Sequence, residues 1–167
     1  MVQAPRDVLF LCTGNSARSI LAEGMFNHLA AGRSLPVRAH SAGSHPMGRV
    51  NPLALQVLRD AGIEGAPFRS KSWDEFAGDD APRMRLVVTV CDQAASETCP
   101  YWPGAPVQVH LGYPDPSHVA GSDLQRVQAF ELTRQAIAYR LLQVVQLPFA
   151  SMTDKELRES MQRIART

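Results

Sequence analysis

Two residues near the amino terminus have the types and the spacing of an anion-binding nucleophile. Cys12 ends an apolar run, and Arg18 follows it by six positions, after the small polar stretch "TGNSA". Small residues let backbone N–H groups curl around an anion, and a guanidinium binds two oxygens of a tetrahedral oxyanion. The same positive field lowers the pKa of a thiol, so we expect Cys12 to be largely thiolate at neutral pH and to attack the central atom of a bound oxyanion.

The predicted oxyanion site includes the whole loop after Cys12. We expect the oxyanion to be bound by Thr13, Gly14, Asn15, Ser16, Ala17, Arg18 and Ser19. Ser19 is also placed to donate a hydrogen bond to the sulfur, and Asn15 to hold the shape of the loop. A buried cysteine in an ordinary turn is the simpler explanation, because Cys-x5-Arg alone recurs by chance. The buried strand before the loop and the helix directly after it favour the functional interpretation.

Two further cysteines and one aspartate lie where other strands end. Cys91 follows the apolar run "LVVTV", and Cys99 comes eight residues later in a polar segment predicted to be loop or weak helix. Asp115 lies in "YPDP", after a strand predicted over 107–111. The carboxyl ends of parallel strands meet at one edge of a sheet, where ligands bind. Cys12, Cys91 and Asp115 should therefore converge there.

Strands and helices alternate along the chain. Apolar runs predict strands over 8–11, 36–43, 86–90 and 107–111, and apolar periodicity predicts helices over 19–32, 52–62, 73–78 and 127–145 and a last helix from Thr153. This order predicts an α/β fold with a doubly wound parallel sheet flanked by helices. We expect a single domain over 1–167, in which 150–167 is a C-terminal helix.

Composition restricts the class of protein. The chain has 167 residues, 45% of them hydrophobic, and a formal charge of +1, which gives no footprint for nucleic acid or an anionic membrane. The first residues lack the apolar region of a signal peptide. Three cysteines cannot all pair within one chain, and free thiols suit a reducing compartment. We expect a soluble, cytoplasmic protein.

These motifs resemble the low-molecular-weight protein tyrosine phosphatase family, and most closely its arsenate reductase branch. The resemblance covers most of the chain and rests on "LFLCTGNSARS", on "HSAG" at 40–43 and on the pair Asp115-Pro116. It implies a phosphatase-like fold in which Cys12 attacks and Asp115 is the acid on a loop that swings over the site. Ala17 stands where one reductase subgroup has a further cysteine.

The resemblance also implies a disulfide relay. In the thioredoxin-coupled reductases, Cys12 and Cys91 would form the first disulfide, and Cys99 would then attack Cys91 and move the disulfide outward. The interval from Cys91 to Cys99 is one residue longer than in that subgroup, so glutaredoxin with glutathione stays open beside thioredoxin as the reductant. No bound cofactor is implied.

Two other functions remain open. The first is a phosphatase that hydrolyses phosphotyrosine through a phosphocysteine, with Cys91 and Cys99 inert. Ser117 and His118 after the Asp-Pro pair disfavour it, and Tyr113 favours it. The second is an oxyanion-binding or redox-sensing module without turnover, against which Asp115 argues, because binding alone needs no acid.

Ion sites are the least direct predictions. In some reductases a residue at the position of Glu23 helps to hold potassium, and Asn15, Glu23 and Ser41 match such a set. A zinc site that joins Cys91 and Cys99 with His110 or His118 is disfavoured, because the two cysteines do not have the close spacing of zinc ligands.

Overall fold

A parallel four-stranded sheet forms the centre of the fold. The computed structural model describes residues 5–98 and 100–167. The strands are β1 (Asp7–Cys12), β2 (Ala39–Gly43), β3 (Met84–Thr89) and β4 (Val107–His110). They lie in the order β2-β1-β3-β4, and every neighbouring pair is parallel. The predicted α/β fold with a parallel sheet and flanking helices is confirmed.

Successive residues of β1 point to opposite faces of the sheet, as the pleat requires. Val8 and Phe10 belong to the larger apolar core, together with the buried residues of the long helices. Leu9 and Leu11 belong to a smaller core that Phe76 and Trp102 help to form. A strand buried on both faces therefore reads as the continuous apolar run seen in the sequence.

Five helices accompany the sheet among the described residues. They are α1 (Arg18–Gly32), α2 (Pro52–Asp60), α3 (Asp92–Ser96), α4 (Asp123–Val144) and α5 (Asp154–Ala165). Pro52 takes the first turn of α2, as predicted, and the predicted capping box of Thr153 and Glu156 starts α5. The stretch predicted as a short helix at 73–78 is a 3-10 turn over Trp73–Phe76.

Strand register brings the site to one edge of the sheet. Cys12, the last residue of β1, pairs with Gly43 at the end of β2, and Leu11 pairs with Thr89 at the end of β3. All four strands therefore finish at the same edge, where the loops that follow β1, β3 and β4 lie side by side. Within the described parts of the chain, no helix combines the length and apolarity needed to cross a membrane.

Candidate active site

The loop between β1 and α1 is held from behind through its carbonyl groups. The carbonyls of Thr13, Gly14 and Ser16 accept hydrogen bonds from the backbone N–H groups of His45, Met47 and Asn51, each at 2.9 Å. A loop whose carbonyls are bonded on one side presents its N–H groups on the other. The backbone amides of Asn15 and Ser19 accordingly reach the Cys12 sulfur. The structure thus places backbone N–H groups of the loop beside Cys12.

Two backbone features make the loop possible. Asn15 adopts a φ of 44°, in the left-handed region that asparagine tolerates better than most residues. Gly43 lies so close behind the loop that a Cβ atom on it would come within 2.4 Å of the Thr13 carbonyl oxygen. This contact explains why the "HSAG" motif ends in glycine.

Cys12 is a buried thiol, with 4% of its surface exposed. Burial raises the pKa of Cys12 above its usual value, while the hydroxyl and backbone amide of Ser19 lower it less strongly. The prediction that Cys12 is largely thiolate at neutral pH is therefore wrong for this conformation. The positive field of the loop favours the thiolate, but the cost of burying a charge outweighs it here. The Ser19 hydroxyl does lie where it was expected, 2.8 Å from the sulfur.

Arg18 links the nucleophile loop to the loop that follows β4. Its guanidinium donates a hydrogen bond to the Tyr113 carbonyl at 2.9 Å and lies 3.5 Å from the Asp115 carboxylate. The Arg18 guanidinium, which is predicted to bind the oxyanion, is thus occupied by the Asp-Pro loop in this conformation. The same contact brings the predicted acid into the site.

Asp115 is a half-buried carboxylate with three neighbours. Burial would raise the pKa of Asp115, but hydrogen bonds from the hydroxyl and the backbone amide of Ser117, with Arg18 and His118 nearby, bring it below its ordinary value. His118 is exposed and lies 3.5 Å from the carboxylate. Asp115 is therefore ionised at neutral pH in this conformation, so an acid role requires that it first gain a proton.

Cys91 lies beside the nucleophile loop. Its sulfur is 3.7 Å from the Thr13 hydroxyl, and only 2% of the residue is exposed. Cys12 and Cys91 are both free thiols, and they belong to the same apolar core. Thr13 also donates a hydrogen bond at 3.2 Å to Glu97, just beyond α3. The predicted third thiol, Cys99, lies outside the described residues.

A hydrogen-bonded chain extends behind the loop. The side-chain amide of Asn15 donates to Ser19 at 2.8 Å and to Ser41 at 3.0 Å, and the Ser41 hydroxyl donates to Glu23. The three potassium candidates, Asn15, Ser41 and Glu23, are thus brought together. The Lys71 ammonium lies 3.9 Å from the Glu23 carboxylate and adds a cation that the sequence analysis did not identify.

No cluster of metal-ligand side chains is present among residues 5–98 and 100–167. No group of three or more histidine, cysteine, aspartate or glutamate side chains lies together in a way that would hold a metal ion. His110, one of the candidates for a zinc ligand, bonds instead to the Thr89 hydroxyl at 2.8 Å and to Asp92 at 2.9 Å.

One face of the Tyr113 ring is covered by a cation. The ring is half-buried, and the Arg140 guanidinium lies 5.2 Å above its centroid. Its backbone carbonyl, rather than its ring, contacts the site through Arg18. The residue that favoured phosphotyrosine in the sequence therefore serves packing in the structure.

A family model covers most of the chain. Residues 7–159 match the model described as low molecular weight phosphotyrosine protein phosphatase. The match includes the Cys12 loop, Cys91 and Asp115.

Individual relatives fall into both branches of this family. A protein of Halalkalibacterium halodurans named arsenate reductase is 35% identical over 134 residues, which are 80% of this chain and 91% of that protein. The crystal structure of an arsenate reductase from Archaeoglobus fulgidus is 26% identical, covers 84% of this chain and 99% of its own, and has a TM-score of 0.62. The solution structure of a low molecular weight protein tyrosine phosphatase from Bacillus subtilis is 25% identical, covers 84% and 95%, and has a TM-score of 0.64.

Proposed function

The chain belongs to the low molecular weight phosphotyrosine protein phosphatase family, and we propose that within it this protein is an arsenate reductase that works through a disulfide relay. Membership makes it an enzyme with thiol-based catalysis, of either the reductase or the phosphatase branch. The choice between the branches depends on whether a second thiol takes part, because reduction needs two electrons and ester hydrolysis needs none.

One observation carries the proposal: a second buried thiol lies against the anion loop. The Cys91 sulfur is 3.7 Å from the Thr13 hydroxyl, next to the residue that bears the nucleophile. A phosphatase has no use for this thiol, since water hydrolyses its phosphocysteine. The relatives named arsenate reductase, 31–36% identical to this chain, favour the same choice.

In the first step, arsenate binds to the loop amides and Arg18, and the Cys12 sulfur forms a bond to arsenic. One arsenate oxygen takes up the proton that the Cys12 thiol loses and a second proton, its bond to arsenic breaks, and it leaves as water. Asp115 is the proposed donor of one of these protons. It is ionised while it pairs with Arg18. An oxyanion that takes over Arg18 removes this partner and adds a negative charge, and both changes favour protonation of Asp115.

In the second step, the Cys91 thiol passes its proton to the departing arsenic oxyanion, and the Cys91 sulfur attacks the Cys12 sulfur. The sulfur–sulfur bond forms as the sulfur–arsenic bond breaks, and the electron pair of that bond leaves with arsenic. Arsenic goes from the +5 to the +3 state and departs as arsenite, while two thiols become one disulfide. The atoms and electrons therefore balance without a bound cofactor.

The relay then needs an external thiol. We propose that Cys99 attacks Cys91, which frees Cys12, and that thioredoxin reduces the resulting disulfide. Glutaredoxin with glutathione is the alternative reductant, and it would act on the Cys12–Cys91 disulfide without Cys99.

The decisive experiment replaces the second thiol alone. We expect Cys91→Ser to abolish arsenate-dependent NADPH oxidation in an assay with thioredoxin and thioredoxin reductase, a loss of at least ~10³-fold, because no disulfide can form. Hydrolysis of an aryl phosphate by the same variant should stay within about threefold of the parent, since that reaction needs only Cys12.

Cys12→Ser is the matched control and should lose both activities. Full arsenate reduction by Cys91→Ser would refute the relay. Repeating the assay with glutaredoxin and glutathione, on the parent and on Cys99→Ser, separates the two reductants.

A phosphatase is the second candidate, because Cys12, Arg18 and Asp115 are the groups that hydrolysis of a phosphate ester requires. The half-buried ring of Tyr113 has the Arg140 guanidinium over one face, which disfavours stacking of a phenyl group there. Aryl-phosphate turnover in the parent, combined with no arsenite formation under any thiol donor, would establish this function instead.

A further inference from the structure

The outer face of α4 carries no charge along most of its length. From residue 128 to the end of the helix at Val144, the exposed residues are Gln128, Leu132, Gln135, Ala136, Tyr139 and Leu142. Leu132 and Tyr139 have 66% and 60% of their surface exposed, and Leu142 has 47%. Single exposed apolar residues are ordinary on a protein surface, but a solvent-facing helix face normally carries charged residues.

The neighbouring helix α5 shows that ordinary composition. Its exposed residues are Asp154, Lys155, Glu156, Arg158, Glu159, Gln162 and Arg163, and all of them except Gln162 are charged. The two helices also contact each other, so one region of the surface contains a charged face and an uncharged face side by side. The centres of protein interfaces are depleted in charge and enriched in tyrosine. The exposed face of α4 therefore has the composition of a contact surface.

The exposed residues of α4 also have the spacing of a helix–helix seam. Gln128, Leu132, Gln135, Tyr139 and Leu142, which we call the outer stripe, follow one another at alternating intervals of four and three residues. These are the intervals of a heptad, in which the a and d positions face a partner helix. The residues that α4 buries in its own domain are Phe130, Ile137, Leu141 and Val144, and they fall outside this stripe. Packing within the domain thus accounts for one apolar face of α4 and leaves the other without a contact.

The charged side chains beside the outer stripe are engaged within their own chain. The Glu131 carboxylate accepts hydrogen bonds from the Arg134 guanidinium at 2.6 and 2.7 Å and from the Gln135 side chain at 2.7 Å. The Arg140 guanidinium lies over the Tyr113 ring, 5.2 Å from its centroid. These contacts hold the charges away from the stripe.

A face without charge is suited to pairing with itself. In a twofold symmetric dimer both copies contribute the same patch, so a charged patch would meet its own charges. The outer stripe meets no such repulsion. A glutamine side chain both donates and accepts hydrogen bonds, which makes it its own complement. By the same reasoning, a strongly charged partner would find nothing on this face to pair with.

We propose that the outer stripe is the interface of a homodimer, in which α4 packs antiparallel against α4 of a second copy. Pairing about the middle of the stripe places Leu132 opposite Leu142 of the second copy and Gln135 opposite Tyr139 of the second copy, and symmetry repeats each pair once. Leucine then packs on leucine, and the tyrosine hydroxyl gives the glutamine side chain a hydrogen-bonding partner. The antiparallel arrangement also sets opposite ends of the two helix dipoles beside each other.

Sedimentation velocity of the full chain under reducing conditions, over a wide range of concentrations, tests this interface. A single pair of helices makes a small interface, so we expect a Kd of about 10–100 µM. Leu132→Glu and Leu142→Lys should each raise the Kd by at least about tenfold, because each places two unpaired charges against leucine. Leu55→Glu introduces a charge at an exposed leucine of α2 and is the matched control, which should leave the Kd within about twofold of the parent.

A mixture of the two stripe variants tests the antiparallel register. In a heterodimer of Leu132→Glu and Leu142→Lys, the introduced carboxylate faces the introduced ammonium in one layer, and the other layer keeps both leucines. The equimolar mixture should therefore associate at least about fivefold more tightly than either variant alone. In a parallel pair residue 132 would face residue 132, and mixing would restore nothing.

A chain that stays monomeric at every concentration would overturn the proposal and leave the stripe to a partner other than a second copy. Undiminished association of folded Leu132→Glu would place the interface elsewhere, and no gain on mixing would refute the antiparallel pairing. Should Leu132→Glu not fold, Tyr139→Glu brings the same charge to the centre of the stripe, and its undiminished association has the same meaning.

The proposed interface is independent of the proposed chemistry. The outer stripe contains none of the residues assigned to catalysis, so aryl-phosphate hydrolysis per chain should stay within about twofold of the parent in every stripe variant. Since sedimentation involves neither arsenate nor thioredoxin, failure of the dimer is distinguishable from failure of the relay.

Discussion

The two halves of the site are built differently. The half that follows β1 is fixed by backbone hydrogen bonds, with three loop carbonyls each bonded at 2.9 Å. The half that follows β3 and β4 also has backbone bonds, such as that from the Tyr113 N–H to the Val90 carbonyl at 3.1 Å, and side chains such as Arg18 join it to the first half. Backbone bonds at the ends of the five-residue helix α3 measure 3.2 and 3.3 Å, and Thr13 reaches over to Glu97.

This difference matches what each half must do. An anion loop stabilises charge best when its N–H groups are already in place, because they then need no reorganisation during the reaction. A relay requires the opposite on the other side, where Cys91 must approach Cys12 and the Asp-Pro loop must release Arg18. Rigid and movable parts therefore meet at the nucleophile, and variants in each half should fail in different ways.

The largest effect should come from breaking the rigid half. Gly43→Ala places a Cβ atom 2.4 Å from the Thr13 carbonyl oxygen, and backbone cannot yield as a flexible side chain would. We expect a loss of about 2–4 kcal/mol in the free energy of unfolding and at least ~10²-fold in both arsenate reduction and aryl-phosphate hydrolysis. Urea unfolding and steady-state rates measure the two quantities.

Gly32→Ala is the matched control. Gly32 ends α1, and a Cβ atom there meets nothing within 4 Å. This variant should keep full activity and lose no stability. A fully active Gly43→Ala enzyme would show that the loop tolerates displacement of its backbone.

Asp115→Asn tests the movable half at the β4 loop. We expect arsenate reduction and aryl-phosphate hydrolysis to fall by about 10²–10⁴-fold, the usual contribution of a general acid. Steady-state rates at several pH values provide the measurement. A variant with parent-like rates would remove Asp115 from the chemistry.

The same variant gives a pH signature in stability. The pKa of Asp115 is lower in the folded protein than its ordinary value, so the ionised carboxylate stabilises the fold above the unfolded pKa. The stability advantage of the parent over Asp115→Asn should be present at neutral pH and vanish as the pH falls below about 4. An advantage that grows with acidity would contradict the assigned ion pair with Arg18.

The smallest effect should come from loosening the segment that carries Cys91. Glu97→Gln weakens the contacts to Thr13 and to His45, whose ring nitrogen lies 3.6 Å from the carboxylate. We expect amide hydrogen exchange in α3 to rise by about two- to fivefold, in keeping with a partly exposed polar contact. Exchange at the β1 loop and aryl-phosphate hydrolysis should not change. Equal acceleration in both halves would mean that they open together.

Much of the fold could be predicted from the sequence because local signals agree with the global structure. β1 and β3 are continuous apolar runs, as strands buried on both faces must be, and Pro52 and Thr153 mark the starts of their helices. α4 starts at Asp123, four residues before the predicted start. The apolar stripe gave no sign of the capping box formed by Ser122 and Gln125.

Some site residues could likewise be predicted from the sequence, and others could not. Cys12, Arg18 and Asp115 could be identified because their spacing and position at strand ends carry the signal. Lys71 could not, because its place 3.9 Å from Glu23 depends on packing between residues far apart in the sequence. The pKa of Cys12 was misjudged for a similar reason, since desolvation is a property of the packed protein and leaves no pattern in the chain.

Both sulfurs are almost fully enclosed, since only 4% of Cys12 and 2% of Cys91 is exposed. This enclosure affects how readily the two thiols are oxidised by small molecules. A peroxide must pass the packed residues around the two sulfurs before it meets either thiol, and a loop lined with N–H groups gives a small neutral oxidant no electrostatic assistance. The packing that encloses Cys12 and Cys91 therefore also shelters the two thiols that the proposed relay would use.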